Sequence, residues 1–257
     1  MTRRTFALAL AAFLCASLAS ADEIHVATSG AFTAAYQELV PQFERTTGHK
    51  VVSAFGGSMG SAPGAIPNRL ARGEPFDVVI VASTALDDLI ASHKVAAGSR
   101  VDLVRSVVAM AVRKGASRPD ISSADAFKRT LLQAKSIAVS TSASGAYLSS
   151  ELFPRLGVAD TIKAKLRIIE SGPVGDAVAR GDAEIGFQQM SELKPVAGID
   201  IVGPLPADLQ RVTTFSAGIV AGTKVPAAAR ALVAFLSSSA AVAAIKKSGL
   251  DPVAAAR

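Results

Sequence analysis

Leu70–Val81 reads L-A-R-G-E-P-F-D-V-V-I-V. Its first part ends a helix on Ala71-Arg72-Gly73. Its last part, Phe76–Val81, is a continuous apolar run, the pattern of a parallel strand covered on both faces. The same grammar returns at Val178–Phe187, V-A-R-G-D-A-E-I-G-F. In both stretches Ala-Arg-Gly closes a helix, and an acidic residue precedes an apolar strand. Gly73 and Gly181 are the expected left-handed residues at the helix ends. Two α/β units about 108 positions apart predict two similar lobes.

The chain on either side continues the alternation. Short β-rich runs are expected at Ile24–Thr28, Val51–Phe55, Ser106–Val112, Ser136–Val139, Leu166–Ile169, Glu184–Phe187, Ile199–Val202 and Ala217–Val220. Phe32, Tyr36, Leu39, Val40 and Phe43 recur at helical spacing, with Pro41 expected to kink that helix. Pro226–Lys247 reads as one alanine-rich helix. Strand–helix alternation of this kind predicts an α/β fold with mainly parallel sheets.

The N-terminus has the three-part layout of a secretory signal peptide: Arg3 and Arg4, then the apolar run Thr5–Leu18, then the small residues Ala19-Ser20-Ala21. That run is shorter than the roughly 20 apolar residues a permanent span needs. A mature, soluble, periplasmic protein beginning near Asp22 is therefore expected. The single cysteine, Cys15, lies in the apolar run, which removes disulfides and thiolate chemistry from the mature chain. The formal charge of +6 falls to +4 without Arg3 and Arg4. No Lys/Arg cluster interleaves with aromatics and there is no tryptophan, which speaks against nucleic acid. A mild positive excess suits attraction of small anions and equally suits an ordinary basic surface.

Four strand ends lead into helices through small polar residues: Thr28–Gly30, Gly56–Ser61, Ser140–Tyr147 and Glu170–Gly175. In a parallel sheet such loops collect at the carboxyl edge, where ligands bind. Backbone N–H groups at helix starts, with hydroxyls beside them, bind anions without lysine or arginine. Each loop alone is equally a cap or a turn; four together predict a converging anion site. Gly56–Gly60 also matches G-x-S-x-G, the nucleophile elbow of α/β-hydrolases. Only His25, His49 and His93 exist, and none follows late in the chain, so a triad around Ser58 is hard to assemble. Scattered histidines likewise argue against zinc.

On these motifs the chain resembles the periplasmic solute-binding proteins of ABC importers, type II fold, and within them the molybdate-binding branch. The likeness rests on the secretory start, Ala27-Thr28-Ser29-Gly30, Phe43 to Thr47-Gly48, the Gly/Ser loop and the A-R-G-E-P-F-D-V-V-I run. It implies two lobes joined by a two-segment hinge: residues 1–21 as signal peptide, 22–105 plus 213–257 as the first lobe, 106–212 as the second. It implies a small anion, of the molybdate or tungstate type, clamped between the lobes. The ligand-binding residues carried over are Ser29, Gly30, Ser58, Ser61, Ser144, Gly145, the Val174 backbone and Gln189. The implied partners are that anion and an inner-membrane ABC permease. A monomer without cofactor, metal or nucleic acid, and without enzymatic activity, is expected. The sequence departs from the branch where a tyrosine hydroxyl is replaced by Gln189, for which Tyr147 is a candidate substitute. It departs again in the longer loop Gly57–Pro67. A pocket enlarged there, with Gln188, Gln189 and Arg69 nearby, suits a small organic carboxylate. A secreted serine hydrolase using Ser58 and a binding module serving a sensor are the remaining alternatives.

Overall fold

The computed structural model describes residues 21–253. The expected signal peptide, save Ala21, lies outside the described residues.

The chain begins β1 (Glu23–Ser29), α1 (Gly30–Thr47), β2 (Lys50–Gly56), α2 (Ile66–Ala71), β3 (Val78–Ala82) and α3 (Ser83–Ala91). The long β4 (Val101–Arg113) leads to α4 (Ala124–Gln133), β5 (Ile137–Ser140), α5 (Ala143–Tyr147), α6 (Phe153–Arg155) and α7 (Ala159–Ile162). Then come β6 (Leu166–Ile169), α8 (Val174–Arg180), β7 (Ile185–Gln189), α9 (Met190–Leu193), β8 (Ile199–Pro204) and β9 (Val212–Ile219). The chain closes with α10 (Pro226–Leu236), α11 (Val242–Lys247) and the two-residue β10 (Asp251–Pro252).

The strands form one curled mixed sheet in the order β2-β1-β3-β9-β4-β7-β5-β6, with β8 and β10 also on β4. β1 pairs parallel with β2 and β3, and β5 pairs parallel with β6 and β7. Each half therefore carries the same 2-1-3 order. The repeated Ala-Arg-Gly stretches precede the equivalent strands β3 and β7, and both glycines are left-handed, Gly73 at φ 81° and Gly181 at φ 84°. The echo in sequence is an echo in topology. β9 runs antiparallel to both β3 and β4, so the sheets are less uniformly parallel than the apolar runs predicted. An apolar run records burial, not direction.

β4 joins the two halves. Val101–Val107 pair with β9, while Val108–Val112 pair with β7 and Ala109–Arg113 with β8. Apolar packing divides at the same place. Phe32, Tyr36, Leu39 and Phe43 of α1 pack with Ile24, Ile80, Phe215 and Leu232 in one core. Val108, Phe127, Val139, Phe153 and Phe187 pack in another. α1 stays continuous through Pro41, which lies on the exposed face, where water can satisfy the carbonyl the proline leaves free. The C-terminal helix is broken rather than continuous, and its halves bend by 55°. Ser237 and Ser238 donate their hydroxyls to Val233 O and Phe235 O, side-chain bonds of the kind that compete with helix continuation.

Candidate functional site

All four predicted loops meet in one cleft of about 620 Å³ at the carboxyl edges of β1, β2, β5 and β6. Ser29 and Gly30 reach it from the start of α1, Gly56–Met59 from beyond β2, Ser140–Ser144 from beyond β5, and Glu170–Pro173 from beyond β6. A fifth segment, from the end of β7 into α9, completes the wall through Gln188, Gln189, Ser191 and Glu192. The halves touch across the cleft, where Ser58 N–H donates to Ser142 Oγ at 3.0 Å.

Of the residues expected to hold a ligand, Ser29, Gly30, Ser58, Ser144 and Gln189 line this cleft. Ser29 Oγ, Gln189 Oε1 and Ser191 Oγ are buried with no hydrogen-bond partner. Such groups are costly to leave unmatched, and here they sit in a wall that a ligand would contact. Ser58 is fully buried, and its Oγ accepts from Ala82 N–H at 2.9 Å. That bond ties the loop after β2 to the end of β3, a structural duty not read from the sequence.

Three expected residues stand elsewhere. Ser61 is exposed and outside the lining. Gly145 is also outside it, because it seats α5 on the end of β5; a Cβ there would lie 1.7 Å from Ser140 O. Val174 N–H is already engaged, donating to Gln188 Oε1 at 2.7 Å. Two further candidates are corrected. Tyr147 OH donates to Leu209 O at 2.6 Å in the second core, away from the cleft. Arg69 is bound by Glu74, with Nε donating to Oε2 at 2.7 Å, and stacks over Phe76. His25 and His93 line a different hollow at the amino ends of β1 and β3, and His49 bonds to Asp22, so no histidine lines the cleft beside Ser58.

The residue the sequence reading missed is Glu192. It and Glu170 are the ionisable side chains among the cleft lining, and Glu170 is exposed. Glu192 is half-buried and pushed up to about 7, chiefly by burial of its carboxyl, against the opposing pull of hydrogen bonds from Gln188 and the Gln189 backbone. Gln188 Nε2–H donates to Glu192 Oε1 at 2.8 Å. Gln188 is itself oriented by Val174 N–H, so a relay of two bonds fixes the carboxyl. Glu192 is the third residue of α9, and its bond to the Gln189 N–H resembles half of a capping box. A carboxylate serving only as a cap needs no such burial.

Two α/β halves joined by β4 and β9, with a ligand-sized cleft between their loop edges, define a bilobal solute-binding fold. Residues 24–251 match the family described as Bacterial extracellular solute-binding protein, and the chain belongs to it. It is 30% identical over 250 residues to the Molybdate-binding protein ModA of Azotobacter vinelandii, covering 94% of this chain and 95% of that one. The solved Azotobacter vinelandii periplasmic molybdate-binding protein superposes with a TM-score of 0.71 at 24% identity, covering 88% of this chain and 98% of that one. The expected type II binding-protein fold of the ModA type is thus present. A Pseudomonas sp. protein named Aconitate isomerase is 52% identical over 253 residues, covering 96% of this chain and 97% of that one. That match overturns the expectation of a protein without enzymatic activity: a full-length relative this similar carries an enzyme's name.

Proposed function

We propose that the protein is a periplasmic isomerase that interconverts the cis and trans forms of aconitate or a closely related unsaturated polycarboxylate. The observation that carries the reading is a buried, ionisable carboxyl, Glu192, in a cleft otherwise walled by hydroxyls, amides and backbone N–H groups. Capture of an oxyanion needs only donors; proton transfer needs a group that ionises near neutrality. The 52% identity to a protein named Aconitate isomerase supports the same conclusion. Size agrees as well. At about 30 Å³ per water-sized group, a four-oxygen anion fills a small part of a cleft of about 620 Å³.

The chemistry suits such a cleft. Aconitate is a propene with one carboxylate on each carbon. Removing a proton from the CH₂ carbon and adding one at the former vinyl carbon moves the double bond. The skeleton is unchanged, and the geometry about the new double bond can differ from the old. One C–H bond breaks and one forms, and nothing is oxidised or reduced. The N-terminus of the 18-residue α1, with the unpartnered Ser29 hydroxyl, offers donors to a substrate carboxylate. Gln189 and Ser191 offer further polar groups. Closure of the two halves would exclude water from the reacting carbons.

Transport is the second reading, favoured by the family and by the ModA relative. In it the same cleft delivers a small anion to an ABC permease. Purified mature protein incubated with each aconitate isomer, with products separated by chromatography, distinguishes the two. Calorimetry with molybdate, tungstate, sulfate and a carboxylate panel accompanies it. Catalytic interconversion supports the isomerase. Tight molybdate binding without interconversion rejects it in favour of oxyanion capture, and aconitate binding without turnover rejects it in favour of carboxylate transport.

A further inference from the structure

We infer that Glu192 is the catalytic base of this cleft and that Gln188 is its positioning residue, an assignment that rests on the isomerase reading. The geometry is specific. Glu192 belongs to the second half of the molecule but lies against the first turn of α1, in the first half. An ideal Cβ on Gly30 would fall 2.1 Å from Glu192 Oε1, so only glycine leaves room for the carboxyl there. The base thus stands beside the same α1 start and Ser29 hydroxyl that would receive a substrate carboxylate.

The other charged groups around it do not compete. The elements packed on α9 are α1, β4, β7 and α8. α1 carries Glu38, Glu44 and Arg45, β4 carries Asp102, Arg105 and Arg113, and α8 carries Asp176 and Arg180; none of them lines the cleft, and β7 carries no charge. Lys194, just beyond α9, donates through Nζ to Lys247 O at 3.0 Å. Glu170 remains, exposed, in the loop after β6.

In the step itself, the carboxylate of Glu192 takes the proton of the substrate's CH₂ carbon. The C–H electron pair passes into the three-carbon π system, stabilised by the flanking carboxylates. The Glu192 acid so formed gives a proton to the opposite terminal carbon, which regenerates the carboxylate. Gln188 holds one carboxylate oxygen by its Nε2–H bond of 2.8 Å and is prevented from flipping by Val174 N–H on its own Oε1.

The test compares wild type, Glu192→Gln and Gln188→Ala. Wild-type kcat/KM for trans-aconitate should rise with pH through about 7 as Glu192 ionises. Glu192→Gln should lose about 10²–10⁴-fold in turnover, the usual worth of a general base, while calorimetry shows aconitate affinity kept within a few-fold. Gln188→Ala removes a donor that favours the charged form, so its pH profile should move upward with activity recovered at high pH. Wild type active with a flat profile from pH 5.5 to 8.5, or Glu192→Gln within tenfold of wild type, overturns the base assignment and leaves the isomerase reading standing. An unmoved profile in Gln188→Ala overturns the positioning role. A wild type that interconverts neither isomer overturns the isomerase reading and this assignment with it.

Discussion

Gly30 and Glu192 occupy one another's space: the side chain that Gly30 lacks would sit 2.1 Å from the Glu192 carboxyl oxygen. Glycine is a poor choice inside a helix, at about 1 kcal/mol relative to alanine. Here, at the first residue of α1, that preference is overridden by a neighbour from the other half of the molecule. Gly30→Ala should therefore improve α1 locally and displace Glu192. We expect at least a tenfold loss of turnover on aconitate with the melting temperature lowered little or not at all. Kinetics beside a thermal melt check this, and full activity in Gly30→Ala would show that the carboxyl is not held where it is needed.

Glu192 also makes folding stability depend on pH in a definite direction. Its folded-state value of about 7 lies above the ordinary 4.5, so the native protein binds the proton more tightly than the unfolded chain. The associated stability is fully present below about pH 4.5 and is lost as pH rises through about 7. At 1.36 kcal/mol per unit the full swing is on the order of 3 kcal/mol. Glu192→Gln abolishes it. The difference between variant and wild type in urea midpoint should be small near pH 4.5 and should grow in the variant's favour by pH 8.

Much of the architecture was legible because burial writes itself into sequence. Val78–Ala82 and Ile185–Phe187 are buried at every residue, and such stretches read as apolar runs. The paired Ala-Arg-Gly endings were visible because a left-handed turn residue is chemically distinctive. The convergence of the four loops followed from the same alternation. What was illegible depended on contacts between segments distant in the chain. Ser-Glu after Gln189 reads as an ordinary polar helix start; only packing against α1 makes Glu192 a desolvated acid. Gly145 and Ser58 sit in loops rich in ligand-like residues, yet one seats a helix and the other bonds to Ala82. The pair of amide residues at the end of a buried strand, Gln188-Gln189, was the available signal. Amides are rarely carried into a core without a purpose.

Ser58→Ala separates these duties. Its hydroxyl is the acceptor for Ala82 N–H at 2.9 Å in a fully buried setting. Removing it leaves that amide unsatisfied, at about 1–3 kcal/mol. We expect a lower melting temperature before any effect on ligand. A melt of Ser58→Ala unchanged from wild type would return Ser58 to the role of a ligand contact alone.

The bond between Ser58 N–H and Ser142 Oγ, 3.0 Å, bridges the two halves across the cleft. Ser142→Ala removes the acceptor without touching either core. A net contribution of about 1 kcal/mol to the contact between the halves corresponds to a roughly fivefold weaker ligand complex. The change should appear as faster release in stopped-flow measurements. An unchanged release rate would mean that this contact does not hold the halves together.

Tyr147 provides a control, because the sequence suggested it as a stand-in for a ligand hydroxyl and the structure places it in a core. Its OH donates to Leu209 O at 2.6 Å, and the Arg211 guanidinium lies 4.2 Å above its ring. Tyr147→Phe keeps the ring and its cation contact but leaves Leu209 O without this donor, a cost of about 1–3 kcal/mol for a buried acceptor. The variant should melt earlier than wild type. Its affinity for aconitate and its kcat should stay within a factor of two, because neither Tyr147 nor Leu209, the partner of its hydroxyl, lines the cleft. A selective loss of affinity in Tyr147→Phe, with stability intact, would place the hydroxyl back among the ligand contacts and would require the cleft to be redrawn.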